Sequence, residues 1–105
     1  MHQSNDRVRI VTFKRIQEYS ELHQDSDIPL RNWYKCTTES EWNCFADIKQ
    51  TFRSVDSVGN NRFVFNIKGN DYRLIAIVIF SSKKVYIRFI GTHEEYNKIK
   101  DCSTI

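Results

Sequence analysis

The sequence predicts an α+β fold: a small antiparallel sheet with N-terminal helices packed on one face and a short C-terminal helix. The first half of the chain has mostly helical hydrophobic spacing, and the second half has three strand-like runs separated by turn residues. Elements that are segregated in this way form a sheet with helices on one side. At 105 residues we expect a single domain spanning residues 1–105, with polar residues 1–6 flexible.

The N-terminal half is predicted to contain one strand and three helices. Charged and branched residues alternate over 7–12, as in a strand, and large side chains recur at helical spacing over 13–23. A second helix starts around Asp27, which is a candidate cap. The stretch TTESEWNCFADIKQTF predicts a third helix, with Thr38 and Glu41 spaced as a capping box.

The C-terminal half is predicted to contain three strands and a final helix, after a loop at 54–61. The strands are residues 62–67, 72–80 and 85–90. Gly69 and Asn70 form the first hairpin turn, and the polar stretch 81–84 forms the second. Thr92 caps the last helix, with Glu95 at the spacing of a capping box.

Hairpin register predicts which side chains share a face. Asn66 is expected opposite Arg73, Arg73 opposite Thr92, and Ile77 opposite Arg88. One face is almost wholly apolar and must be covered by the helices: Phe63, Phe65, Ile67, Tyr72, Leu74, Ala76, Val78, Val85, Ile87 and Phe89. The other, open face mixes cations with apolar residues: Arg62, Val64, Asn66, Lys68, Arg73, Ile75, Ile77, Ile79, Tyr86, Arg88 and Ile90.

Composition excludes several classes of protein. The three cysteines have no paired spacing and the three histidines are scattered, which argues against a disulfide framework and against a metal site. No apolar run is long enough to cross a membrane, and the N-terminus lacks the apolar core of a secretion signal. We therefore expect a cytoplasmic protein without a metal or other cofactor.

Two arginines within apolar strands point to an anionic ligand. Arg73 and Arg88 have no Asp or Glu within these strands, and an unpaired cation in an apolar strand is costly unless a ligand uses it. Lys68, His93 and Tyr96 are expected nearby. The alternatives are that the arginines pair with carboxylates elsewhere, that Lys68 is simply solvated, and that His93 and Tyr96 are structural.

This set of side chains suits RNA cleavage in which the ribose 2′-hydroxyl attacks the adjacent phosphate. Arg73 and Arg88 would stabilise the phosphorane because a guanidinium donates to two oxygens at once. His93 would transfer a proton and Tyr96 would orient a hydroxyl or stack on a base. Lys68, Arg62 and Asn66 on the same open face are candidate RNA-binding residues.

Several segments carry a family resemblance. The strings FADIKQTF, VGNNRFVFNIKGNDYRLI and VYIRFIGTHEEYNKI, preceded by PLRNWYK, resemble the HigB-type toxins of type II toxin–antitoxin systems, in the RelE/ParE superfamily. The resemblance implies a RelE-like fold and an mRNA interferase that cuts messages on the translating ribosome and so inhibits translation. It also implies a HigA-like helix-turn-helix antitoxin, and operator DNA bound only through the antitoxin complex.

The family pattern assigns Arg73 and Arg88 to phosphate binding, and its THxEY segment corresponds to His93 and Tyr96, with Lys68 as a supporting cation. Two positions depart from that pattern. Asn97 stands where the family usually has Asp, and Glu94 stands where a basic residue is common.

Two other functions remain open at this point. One is a ParE-like toxin that inhibits a topoisomerase and cuts no RNA, and the other is a non-catalytic interaction module. The same fold supports all three functions, so the fold alone does not decide between them.

Overall fold

The computed structural model of the protein describes residues 7–105. Their fold is a five-stranded sheet with helices on one face. The strands are β1 (Arg9–Ile10), β2 (Asp56–Gly59), β3 (Arg62–Ile67), β4 (Tyr72–Ile79) and β5 (Lys84–Thr92), and their order in the sheet is β1-β5-β4-β3-β2. Among these described strands, only β1 and β5 pair in parallel. The predicted α+β class is confirmed, while the expected flexibility of residues 1–6 lies outside the described residues.

In the described residues, four α-helices accompany the sheet. They are α1 (Phe13–Leu22), α2 (Asp27–Thr38), α3 (Phe45–Thr51) and α4 (His93–Asn97). Short 3-10 helical turns occur at Gln24–Ser26 and Cys102–Thr104. From residue 7 onward, no helix is both long and apolar enough to cross a bilayer.

The core lies between the sheet and the helices. Leu30 and Trp33 of α2 and Ile48 of α3 are almost fully buried, and they pack with the apolar face of β3 and β4. The Trp33 ring meets the Phe65 ring edge-on at 5.3 Å between centroids. Helical spacing in the first half and alternation in the second half therefore both mark surfaces that are buried together.

The predicted third helix is shorter than expected. The hydroxyl of Thr38 donates to the main-chain oxygen of Tyr34 at 3.0 Å, so Thr38 ends α2 instead of capping a new helix. The next helix begins only at Phe45. Trp42 is buried in the connection, where its indole N–H donates to the Thr51 hydroxyl at 3.0 Å. Burial of Trp42 does not require helical backbone, which is why its spacing was misleading.

Two other local predictions were wrong. Asp27 does not cap α2, because its carboxylate accepts a hydrogen bond from Arg31 Nε at 2.8 Å one turn later in the same helix. Residues 54–61 are not all loop, since β2 lies within them and pairs with β3 as an edge strand. Its polar sequence fits an edge position, where side chains remain in water.

Register between β3 and β4 agrees with the prediction, but register between β4 and β5 does not. Asn66 lies opposite Arg73. Farther along, Ile75 pairs with Phe89 and Ala76 pairs with Ile87, so Arg88 is an extra residue in a β-bulge. Arg73 is therefore opposite Gly91 instead of Thr92, and Ile77 is opposite Tyr86 instead of Arg88.

The bulge exchanges the faces of two apolar residues. Phe89, expected under the helices, lies opposite Ile75 on the open face. Ile90, expected on the open face, lies opposite Leu74 and packs against the core. An extra residue in a strand reverses the alternation beyond it, so every later side chain of β5 changes sides.

Candidate functional site

Arg73 is a buried cation without a carboxylate partner in the described part of the chain. It is only 9% exposed, and its Nη1 donates to the main-chain oxygen of Asn70 at 3.1 Å. No Asp or Glu oxygen of residues 7–105 lies within ion-pair distance of it. The alternative to a ligand was that Arg73 pairs with a carboxylate of the protein. The described residues contain no such pair.

Tyr96 of α4 lies against this guanidinium. The Arg73 Cζ atom is 5.4 Å from the centre of the Tyr96 ring, which is cation–π distance. Burial raises the pKa of the Tyr96 hydroxyl, the Cys102 thiol beside it adds to this effect, and Arg73 opposes it. The hydroxyl is therefore protonated at neutral pH, where it can donate a hydrogen bond but cannot act as a base.

Helix α4 is held beside β5 by a complete capping box and by a close approach at Gly91. The Thr92 hydroxyl accepts from the Glu95 N–H at 3.1 Å, and the Thr92 N–H donates to Glu95 Oε1 at 2.8 Å. A Cβ atom added to Gly91 would lie 2.4 Å from the Phe89 ring. The glycine thus lets this ring fold over β5, directly across from Arg73.

Arg88 supplies a second, exposed cation. It is the extra residue of the bulge, and its main-chain oxygen accepts a hydrogen bond from Arg15 Nη1 at 3.2 Å. Among residues 7–105 no carboxylate pairs with its side chain. Arg88 precedes Gly91, the partner of Arg73, by three positions, or about 10 Å along an ideal strand. Two arginine side chains can span that distance around one phosphate.

His93 opens α4 at the edge of this site. Its main-chain N–H donates to the Asp71 oxygen at 3.0 Å. Its Nδ1 atom is buried, with no hydrogen-bond partner in the part of the chain that is described. A ring nitrogen that is buried without a hydrogen-bond partner is costly. The histidine borders an open depression of about 440 Å³, lined also by Asp25, Asn70, Asp71, Tyr72, Thr92 and Glu94.

Lys68 is not a free cation. Its ammonium group lies 2.9 Å from Asp25 Oδ2 and 3.5 Å from Asp71 Oδ2. A hydrogen bond from Tyr72, and a weaker effect of the one from Lys68, lower the pKa of the Asp25 carboxyl. In return, the hydrogen bond to Asp25 raises the pKa of the Lys68 ammonium group. Since Asp25 belongs to the turn between α1 and α2, Lys68 is drawn to the helical layer and away from the open face on which it was expected.

The two other candidate RNA-binding residues differ in their surroundings. Arg62 donates to the main-chain oxygen of Ile105 at 2.8 and 3.0 Å and to that of Asn60 at 3.0 Å. Its guanidinium is thus occupied by the chain itself. Asn66 is half-buried and directly opposite Arg73, so the fold does bring it to the candidate site.

Three residues near the site were not singled out from the sequence. Gly91 had a usable signal, because a glycine inside a strand often marks a close approach. Asp25 and Cys102 had none. Asp25 is 43 residues from Lys68, and Cys102 reaches Tyr96 only because the end of the chain folds back.

The described residues contain no cluster of three or more His, Cys, Asp or Glu side chains that could hold a metal ion. Cys36, Cys44 and Cys102 are free thiols. Residues 7–105 place the Tyr96 ring on the Arg73 guanidinium. Arg88 lies three positions before Gly91, which pairs with Arg73. His93 borders a depression that is lined by neither arginine.

Comparison with known proteins yields a family match over most of the chain. The family model described as HigB_toxin, RelE-like toxic component of a toxin-antitoxin system, matches residues 26–99. The match includes Arg73, Arg88, His93 and Tyr96, and it ends before Cys102 and begins after Asp25.

Curated relatives point the same way. An Escherichia coli protein named "mRNA interferase toxin HigB" is 42% identical over 52 residues, which is 48% of this chain and 50% of the relative. The "mRNA interferase HigB" of Shigella flexneri gives the same values. A protein of that name from a uropathogenic Escherichia coli strain is 22% identical over 94 residues, covering 88% of this chain and 91% of its own. The chain spans about half the length of the first two relatives.

Proposed function

Because the chain belongs to the HigB toxin family, the RelE-like toxic components of toxin–antitoxin systems, we propose that it is an mRNA endoribonuclease toxin that inhibits translation. The family match confirms the resemblance drawn from the sequence. The names of the relatives, which are mRNA interferases, support the reaction type.

The observation that carries the proposal is the burial of Arg73 without a carboxylate partner in the described chain. A guanidinium removed from water and left without a counter-charge favours an anion. Its neighbours on the open face are aromatic and amide side chains, Tyr96 and Asn66, with Gly91 opposite on β5. A phosphate of single-stranded RNA, flanked by a base, suits such a surface.

In the proposed reaction the ribose 2′-hydroxyl loses its proton as O2′ bonds to phosphorus, and the bond from phosphorus to the 5′ oxygen breaks as that oxygen takes up a proton. The products are a 2′,3′-cyclic phosphate and a 5′-hydroxyl end. Arg73 and Arg88 donate to the non-bridging oxygens as charge develops, without a metal ion. The Tyr96 hydroxyl donates a hydrogen bond that orients the ribose hydroxyl, and His93 transfers a proton.

The same proposal extends to partners and setting. The substrate is mRNA on the translating ribosome, so the toxin acts in the cytoplasm and contacts no membrane. A HigA-like helix-turn-helix antitoxin neutralises it, and operator DNA is bound only through the antitoxin complex. Asn66 is the RNA contact that the fold supports, whereas Lys68 and Arg62 would bind RNA only after releasing their present partners.

The test uses purified protein, ribosomes loaded with a defined mRNA, and sequencing of 5′-hydroxyl ends. We expect new ends with the wild type, unchanged by EDTA, and about 10²-fold slower cleavage with Arg73→Lys, since lysine lacks the planar fork. Arg53→Lys is the matched control, because Arg53 is an exposed arginine whose side chain makes no hydrogen bond or ion pair within residues 7–105.

The outcomes separate the three functions. If the wild type cuts no RNA but its induction stops DNA replication before translation, the protein is a topoisomerase inhibitor. If it does neither yet binds an acidic partner through the open face, it is an interaction module. Equal cleavage by wild type and Arg73→Lys would remove Arg73 from the site.

A further inference from the structure

The turn between β3 and β4 holds two of the candidate catalytic residues through its main chain. The oxygen of Asn70 accepts from Arg73 Nη1 at 3.1 Å, and the oxygen of Asp71 accepts from the His93 N–H at 3.0 Å. Both acceptors are backbone atoms. Their positions are therefore set by the backbone conformation of residues 68–71.

This turn adopts a backbone conformation that needs external support. Lys68 has a φ of 53° and Gly69 a φ of 64°, both in the left-handed region. Glycine adopts that region freely, whereas a lysine there is strained because of its Cβ atom. A non-glycine residue in this region persists where its surroundings hold it.

The support for Lys68 comes from outside the sheet. Asp25, in the turn between α1 and α2, accepts a hydrogen bond from Lys68 Nζ at 2.9 Å through Oδ2. Its other oxygen accepts from the Tyr72 hydroxyl at 2.6 Å. Lys68 is the first residue of the turn and Tyr72 directly follows its last residue, so one carboxylate binds both ends of the turn.

We infer that Asp25 is a positioning residue of the proposed nuclease. Its carboxylate fixes the turn at residues 68–71, and the turn fixes the Arg73 guanidinium and the first residue of α4. In this inference Asp25 acts through the turn and not by contact with the reacting atoms. The inference rests on the proposed function, because it identifies what holds that site together.

A purely structural role for Asp25 predicts a different experimental result. The Lys68–Asp25 pair is partly exposed, with 41% and 53% of the two side chains accessible. Exposed ion pairs contribute little to global stability. If Asp25 acts on the geometry of the site, its removal slows the reaction far more than it lowers the melting temperature.

The first experiment measures cleavage by Asp25→Ala at several substrate concentrations. We expect kcat to fall about tenfold with KM unchanged within twofold, since small displacements of catalytic groups are costly while binding area is unaltered. Asp25→Asn, which keeps an acceptor for Tyr72 but loses the charge, should recover part of the loss. Asp27→Asn is the matched control, because its carboxylate pairs with Arg31 inside α2.

The second experiment does not require activity. Hydrogen exchange of the His93 amide should become about tenfold faster in Asp25→Ala, because its acceptor on Asp71 moves, while amides in the middle of β4 keep their protection. Unchanged exchange at His93, or an equal effect in Asp27→Asn, would overturn the inference. A wild type that never cleaves RNA would overturn the proposed function alone, since the exchange result stands apart from it.

Discussion

At the scale of single residues, the Tyr96 ring restrains the position of the Arg73 guanidinium. The tyrosine ring covers the guanidinium, and Asn70 holds one of its nitrogens, so few positions remain for the arginine side chain. Because a preorganised donor needs no rearrangement when charge develops, this restraint favours catalysis over simple binding.

Tyr96→Phe separates the ring of the tyrosine from its hydroxyl. The ring still packs on Arg73, so we expect an unchanged melting temperature. Cleavage should slow about tenfold, the worth of one hydrogen bond to a charged group. Tyr96→Ala should lose both functions and release Arg73. Full activity of Tyr96→Phe in the ribosome assay would assign the residue to packing alone.

Asp25 gives a pH dependence of stability with a definite sign. Hydrogen bonds from Tyr72 and Lys68 hold its folded-state pKa below the ordinary value of 3.8 for an aspartate. Its stabilising contribution is therefore fully present above about pH 4 and is lost as the pH falls through the lowered pKa. Urea unfolding should show the wild type more stable than Asp25→Asn at neutral pH, with the gap closing in acid. A gap that widened in acid would contradict this origin.

Sequence reasoning predicted surroundings that depend on near neighbours in the chain and missed partners that lie far along it. Arg73 was recognisable because its strand contains no carboxylate, and Asn66 because the hairpin turn fixes what lies opposite. Lys68 and Arg62 could not be judged. Their partners, Asp25 and Ile105, are 43 residues away in the chain.

At the scale of elements, the two predicted capping boxes had opposite outcomes. Thr92 caps α4 with a reciprocal bond from Glu95, whereas Thr38 lies at the end of α2 and bonds back to Tyr34. The residue spacing is identical, so sequence alone did not distinguish them. What differs is the backbone before each threonine: an extended strand before Thr92 and a helix before Thr38.

This difference can be measured with one substitution at each site. Thr92→Ala removes a true cap and should lower stability by about 1 kcal/mol, with faster amide exchange in α4. Thr38→Ala removes only a bond within the last turn of a helix and should change stability by a few tenths of a kcal/mol. Equal losses in thermal unfolding would show that the capping box at Thr92 contributes nothing of its own.

The bulge at Arg88 is the element-scale feature that the sequence concealed. Phe89 and Ile90 are both large and apolar, so either can occupy either face without breaking the alternation. Only the exact pairing of β4 with β5 decides between them. An apolar pattern fixes register where one choice buries a charge, and here neither choice does.

At the scale of the whole molecule, residues 7–105 share one buried core, and we expect stability to be lost in one step. Leu74→Ala, in the middle of β4 and fully buried, should cost about 2–5 kcal/mol. Leu22→Ala should cost almost nothing, since Leu22 is 80% exposed. Unfolding followed by tryptophan fluorescence and by circular dichroism should coincide for both variants. Separate transitions would indicate two units instead of one.

The fold class was predictable at this scale because helical and strand-like periodicities occupy separate halves of the chain. The strand order was not. The short polar β2 resembles a loop, and the parallel pairing of β1 with β5 joins segments that are about 75 positions apart. Local patterns carry no information on such pairings.

That parallel pairing bears on how the protein is made. Arg9 and Ile10 leave the ribosome early, yet the segment they join, Lys84 and Val85, is synthesised much later. The N-terminal strand stays without its neighbour while most of the nascent chain is still being extended. Arg88, His93 and Tyr96 are made later still. An unfinished copy therefore lacks the residues of the proposed nuclease site.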